Sequence, residues 1–280
     1  MPMLLPGDFF DFDGYEHKGL FTADQPVWTV LDRLKDYIES LFKNSWPLKG
    51  CAGMVEKPIV IADGAVRYDL SVRPAAKGAV QAFDGDIPVQ NATIIMQGAY
   101  LNDDRVIIGP GTVVEPGALI KGPTVVGSDT EVRQGAYIRG DCLIGNKCVV
   151  GHTTEIKSSV MLDGAKAGHF AYIGDSILGK DVNLGAGTKL ANLKMIPGNI
   201  FIRDPEGNFH KTGRRKIGAI LGDRTETGCN SVTSPGTLME SGSVVFPTIS
   251  VPGGYYQKGS CVMPRRGSID VRSNIFGEKR

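Results

Sequence analysis

A chain of 280 residues, 41% hydrophobic, 22% charged and 8% aromatic, has a globular composition and enough length to bury one sizeable core. Its 37 glycines and 16 prolines argue against a helical bundle, because both residues are poor in helix interiors. Thirty-one basic against 30 acidic residues leave a charge of +1, which favours neither nucleic acid nor an acidic membrane as partner, and no apolar run approaches the roughly 20 residues of a membrane span.

The chain starts without a basic flank and soon meets Asp8, Asp11 and Asp13, which does not fit a signal peptide. Five cysteines without a C-x-x-C pair read as free thiols, so a reducing, cytoplasmic setting is expected. In the first segment, residues 1–50, the spacing of Val27, Val30, Leu31, Leu34, Ile38 and Leu41 predicts a helix from Gln25 to Lys43, with Asp24 as N-cap. Such a helix would cap an open end of the fold or pack against a partner. Residues 51–105, including Pro58–Ala62 and Ala92–Met96, read as irregular early coils of the next unit, which is expected to span 51–255.

From Ile108 the sequence repeats every six residues: Val114, Ile120, Val126, Val132, Ile138, Ile144, Val150 and Ile156 are all aliphatic. Four residues after each comes a small side chain: Thr112, Ala118, Thr124, Thr130, Ala136, Cys142, Cys148, Thr154 and Val160. Six is neither the strand period nor the helix period. It is the hexapeptide signature of a parallel β-helix, with aliphatics on the axis and Gly-rich corners. Gly109, Gly111, Gly117, Gly127, Gly135 and Gly145 are the expected corner residues, and Cys142 and Cys148 are wall filler. After Ile156 the phase slips, and Met161, Ala167, Ile173, Leu178, Leu184 and Leu190 continue the column with two steps of five. The column resumes weakly at Leu221, Thr227, Thr233, Met239 and Val245. Between them an insertion, 193–216, carries a hairpin pattern of Asn199–Arg203 and Asn208–Thr212. The tail, 256–280, is expected to close the far end.

If three hexapeptides make one coil, Lys121, Arg139 and Lys157 stack in one column. They either fan into solvent and pair with Glu115, Glu131 and Glu155, or they clamp a phosphate or carboxylate. The insertion adds Lys194, Arg203, Lys211, Arg214, Arg215 and Lys216 against Asp204 and Glu206. No aromatic stripe accompanies these cations, so nucleic acid is not expected. Among four histidines, His169 lies nearest the phase slip, with Tyr172, Asp175 and Asn183 close in sequence. A neutral imidazole is a natural general base for an amine nucleophile.

The run Lys166-Ala-Gly-His-Phe-Ala-Tyr-Ile-Gly-Asp175, then Val182-Asn-Leu-Gly-Ala-Gly-Thr188 and Asn192, is specific. Residues 106–250 resemble the left-handed β-helix domain of bifunctional N-acetylglucosamine-1-phosphate uridyltransferase/glucosamine-1-phosphate acetyltransferases. They look still more like archaeal sugar-1-phosphate nucleotidyltransferase/acetyltransferases. The resemblance implies an all-β, left-handed parallel β-helix with acetyl-CoA as co-substrate and no metal. It implies a homotrimer in the cytoplasm, acting on an amino-sugar phosphate in nucleotide-sugar biosynthesis. By the same resemblance His169 is the general base and Asn192 lies near the acyl carbonyl. Arg139, Lys157, Tyr172, Asn183 and Lys216 would hold the sugar phosphate, and Ala186 and Cys229 would lie at the CoA groove.

Three departures stand out: Leu193 replaces the tyrosine of the family's Asn-Tyr pair, Cys229 stands where the family has a serine near the CoA groove, and no N-terminal phosphate-loop pattern of a nucleotidyltransferase is present. The first and last motivate an alternative, a non-catalytic trimeric subunit that binds sugar phosphate or a separately encoded nucleotidyltransferase. A third class, a carbonic-anhydrase-type metalloenzyme, needs three histidines. His152 and His169 stand one coil apart, but no short-spaced pair completes a tetrahedral site.

Overall fold

The computed structural model describes residues 4–42, 46–75, 79–204, 206–265 and 268–273. The fold is a left-handed parallel β-helix of about nine turns. Three sheets form its faces. The first face runs through Val113–Val114, Val149–His152, Lys166–His169 and Asn183–Leu184; the second through Leu119–Ile120, Tyr137–Ile138, Glu155–Lys157 and Tyr172–Gly174. The third contains Thr124–Val126, Cys142–Ile144, Ser159–Met161 and Ile177–Leu178.

The aliphatic column is the axis. Val114 pairs with Val132, Ile120 with Ile138 and Val126 with Ile144, each one coil on, and all are buried. The shortened steps are real: Ile144 pairs with Met161, Ile156 with Ile173 and Met161 with Leu178. After the insertion the register resumes, Leu178 opposite Leu221 and Thr227 opposite Val245. The slip also corrects the small-residue column. Ser159, not Val160, lies opposite Cys142, and Val160 pairs with Leu143 on the outward side. Hydroxyls in this column stitch the corners: Thr112 Oγ1 donates to the Gly127 carbonyl at 2.6 Å and accepts from the Thr130 amide at 3.0 Å. Cys148 takes the next place, its amide donating to Thr130 Oγ1 and its thiol to the Leu162 carbonyl. Burial pushes the Cys142 and Cys148 thiols up to about 12, as inert wall residues require.

The corner glycines divide into two kinds. Gly111 has φ +74°, which an L side chain adopts poorly. Gly127 does not; a Cβ there would lie 2.5 Å from the Gly145 carbonyl carbon, so close stacking of coils selects that glycine.

The N-terminal segment departs from expectation. A 3-10 turn, Val27–Thr29, precedes a shorter helix, Val30–Ser40, and no side chain caps it; Lys43 lies outside the described residues. The helix neither closes an end nor stays free for a partner. Leu31, Leu34 and Ile38 pack with Val125, Leu143, Val160 and Ile177, the outward residues of the third face. Burying each such side chain contributes about 1.5–3 kcal/mol, and this second core explains why that face is apolar on both sides.

The near end is closed instead by antiparallel strands. Ile59–Ala62 runs antiparallel to Thr93–Ile95, and Gly53–Met54 to Tyr100–Leu101, so residues 51–88 are not early coils. An antiparallel strand terminates the parallel stack because its register cannot continue the coil. At the far end, Gly254–Tyr256 and Ser260–Arg265 still add to the faces, and Ser268–Ser273 closes antiparallel on Ser260–Arg265.

Candidate functional site

The first face carries a row of glycines. Val149 pairs with Lys166 and His152 with His169, which sets Gly151 against Gly168; the register carries the row on to Gly185 and Gly228. A Cβ at Gly151 would come within 1.8 Å of the Gly168 carbonyl, and one at Gly185 within 2.5 Å of the Thr227 carbonyl. Gly168 differs: a Cβ there meets nothing within 4 Å. Its missing side chain opens the floor of a groove of about 370 Å³ lined by Arg133, Lys166, His169, Asn183, Ala186 and Cys229.

The groove's other margin is the row His152, His169, Ala186 and Cys229, one residue per coil. The two imidazoles stack, with centroids 5.7 Å apart and planes 23° from parallel. Four of the expected residues, His169, Asn183, Ala186 and Cys229, thus meet in one groove. His169 is exposed, with its carbonyl fixed by the Gly187 amide at 2.9 Å. An exposed imidazole on a rigid strand end can exchange a proton with a bound amine.

The remaining expected residues lie across a corner, on the second face. The cation column exists as spacing predicts: Leu119 pairs with Tyr137 and Tyr137 with Glu155, which aligns Lys121, Arg139 and Lys157. Two of its members are ion-paired. Arg139 donates to Glu155 at 2.6 Å, and this hydrogen bond raises the guanidinium pKa further. Lys157 donates to Asp175 at 2.8 Å. Lys121 instead lies over the Tyr137 ring, 5.4 Å from its centroid. Glu131 pairs with Arg133, and Glu115 accepts from the Gln134 amide.

Asp175 is the centre of this second cluster. Its Oδ2 also accepts from Asn192 Nδ2 at 2.5 Å, and its Oδ1 is 3.7 Å from Arg214. Tyr172 Oη donates to Asn192 Oδ1 at 3.4 Å. Both side chains lie over Gly174, where a Cβ would stand 2.6 Å from Tyr172 Oη and 2.7 Å from Asn192 Nδ2. Lys216 is exposed beside them, since its strand partner is Leu193. The phase slip therefore does not sit at His169. It sits at the corner between the second and third faces, at Ser158 (φ +45°) and Asp175 (φ +47°).

The insertion is a hairpin, Phe201–Arg203 against Phe209–Lys211. His210 donates to the buried Asp204 carboxylate at 2.8 Å and packs on Trp28. Burial alone would raise the Asp204 carboxyl, but hydrogen bonds from His210 and Asn208 outweigh it and hold it at about 2. Arg214 pairs with Asp32 of the helix as well as approaching Asp175. The pairing of Asp175 with Lys157 was not legible from the nominal spacing, because the coil there is one residue short, and Arg214 was not, because the insertion has no period.

The family model of the GMPPB C-terminal domain matches residues 120–264. The chain belongs to this family. Relatives of this family member include the bifunctional sugar-1-phosphate nucleotidylyltransferase/acetyltransferase of Sulfurisphaera tokodaii, 37% identical over 98 residues, covering 35% of this chain and 24% of the relative. The bifunctional protein GlmU of Methanococcus aeolicus is 27% identical over 239 residues, 80% of this chain and 54% of the relative. The uncharacterized acetyltransferase YaiX of Escherichia coli O6:K15:H31 is 33% identical over 181 residues, 63% of this chain and 76% of the relative. The chain thus spans a quarter to about half of the two bifunctional relatives. Among the described residues, no three His, Cys, Asp or Glu side chains gather as metal ligands, and no helix is long and apolar enough to cross a membrane.

Proposed function

We propose that this chain is an acetyl-CoA-dependent N-acetyltransferase whose acceptor is an amino-sugar phosphate of the glucosamine 1-phosphate kind. The observation that carries the reading is the convergence of His169, Asn183, Ala186 and Cys229 in one glycine-floored groove. The relative named as a bifunctional sugar-1-phosphate nucleotidylyltransferase/acetyltransferase supports it.

In this reading the thioester end of acetyl-CoA lies along the glycine stripe beside Ala186 and Cys229. His169 takes a proton from the acceptor amine as nitrogen attacks the carbonyl; the new C–N bond forms, the C–S bond breaks, and the thiolate of CoA recovers the proton. Asn192 offers an amide donor to the developing oxyanion, a role worth about 10²–10³ in rate at comparable sites. Arg139, Lys157 and Lys216 supply the cationic side of a phosphate site, with Tyr172 and Asn183 against the sugar. Arg139 and Lys157 are ion-paired, so a phosphate would compete with Glu155 and Asp175 for them. The open groove suits a cyclic trimer, in which a neighbour would supply the facing wall. A reducing, cytoplasmic setting suits the exposed Cys229 and the nucleotide-sugar chemistry.

The test is release of free thiol from acetyl-CoA across a panel of amino-sugar 1-phosphates and their unphosphorylated counterparts. The reading predicts turnover that depends on both the amine and the phosphate. No thiol release with any acceptor, together with co-purification of a nucleotidyltransferase, would instead support a non-catalytic sugar-phosphate-binding subunit.

A further inference from the structure

The second-face cluster contains an acid that the acyl-transfer chemistry does not call on. We infer that Asp175 is a positioning residue, which fixes Lys157 and Asn192 relative to each other, and that Arg214 ties this carboxylate to the N-terminal helix. The inference deepens the proposed acyl-transfer reading and rests on it for the roles of Lys157 and Asn192.

The geometry is specific. One carboxylate oxygen receives both Lys157 Nζ, at 2.8 Å, and Asn192 Nδ2, at 2.5 Å. These side chains come from different coils: Lys157 ends the strand one coil before Gly174, and Asn192 follows the strand one coil after it. Only a group between the two coils can touch both. Asp175 is there because the corner lost a residue, and its backbone is held on two sides. Its amide donates to the Lys157 carbonyl at 3.1 Å, and its carbonyl accepts from the Gly218 amide at 2.8 Å. The side chain is 7% exposed, so water competes little for its oxygens.

Asn192 is oriented as well as held. Asp175 accepts from its Nδ2 while Tyr172 donates to its Oδ1 at 3.4 Å, which fixes which end of the amide faces which way. The second oxygen of Asp175 faces Arg214, 3.7 Å away, and the same guanidinium pairs with Asp32 on the helix Val30–Ser40. Helix, insertion base and second-face cluster therefore share one arginine. The charge-assisted hydrogen bond from Lys157 to a buried carboxylate holds a lysine that would otherwise sample many rotamers.

The experiment compares wild type with Asp175→Asn, Lys157→Ala and the double variant. With glucosamine 1-phosphate and acetyl-CoA, Asp175→Asn is expected to raise the acceptor KM about 10- to 100-fold and to leave the acetyl-CoA KM near wild type. In acceptor KM the double variant should be no worse than Lys157→Ala alone, because that effect acts through one ammonium, while its kcat should fall below that of Lys157→Ala as Asn192 loses its acceptor. A second arm needs no turnover: acetylation of the Lys157 amine by an N-hydroxysuccinimide ester, mapped by peptide mass spectrometry. It should be several-fold faster in Asp175→Asn. A variant that melts lower but keeps the acceptor KM and the Lys157 labelling rate overturns the inference. Absence of turnover in wild type would count against the acyl-transfer reading, while the labelling arm would still decide the role of Asp175.

Discussion

At the scale of single residues, side chains that looked alike in sequence have separate fates. Cys142 and Cys148 were readable as small residues of the repeat and Cys229 only through the resemblance; the first two are buried with thiols pushed up to about 12, and Cys229 is exposed in the groove. An alkylating reagent at neutral pH is expected to modify Cys229 readily and to spare Cys142 and Cys148. Saturating acetyl-CoA should slow the Cys229 reaction at least several-fold, read by intact mass and peptide mapping; equal rates with and without it would remove the groove as the CoA site. The column Lys121, Arg139 and Lys157 was legible because spacing alone fixes register in a solenoid. What spacing could not show is charge state in context. Glu155 and Asp175 take up two of the three cations, and Asp175 reaches its place only because the coil there is one residue short.

At the scale of elements, the glycine stripe makes the sharpest contrast. Gly151 and Gly168 are neighbours in one row, but only Gly151 is forced by packing. Gly151→Ala is expected to destabilise by about 1–3 kcal/mol through overpacking. Gly168→Ala should stay within about 0.5 kcal/mol of wild type while weakening acetyl-CoA binding. Thermal melts and calorimetry separate the two; a Gly168→Ala variant with wild-type affinity would show that the open floor is not used. The hairpin offers a second test. Asp204 is held at about 2, below the ordinary carboxyl value of 3.8, so its contribution is present above that value and lost as pH falls through the folded one. Fluorescence of Trp28, in a Trp46→Phe background, should change between about pH 4 and pH 2, and the Asp204→Asn variant should show the altered signal already at neutral pH. The hairpin itself was legible from two β-rich runs around Asp204–Gly207. The short antiparallel strands of residues 53–88 were not, because apolar runs such as Ile59–Ala62 carry no sign of direction.

At the scale of the whole molecule, the six-residue period fixed the coil, the axis and the order of the faces, since a solenoid's contacts follow from nearest-neighbour stacking. The helix was misplaced for a physical reason: its apolar stripe is visible in sequence, but its receptor, the outward row Val125, Leu143, Val160 and Ile177, is split across four coils. With the third face covered, the groove lies on the first face up to His169, and the cation cluster lies on the second, centred on Asp175 at its far corner. The central claim is that His169, at the edge of that groove, moves the acceptor's proton during acetyl transfer. The most direct measurement is the initial rate of thiol release from acetyl-CoA with glucosamine 1-phosphate, for wild type and for His169→Ala at matched folding. A fall of about 10²–10⁴ in kcat, with the acetyl-CoA Kd preserved, is the predicted result; turnover unchanged by loss of the imidazole would contradict the account.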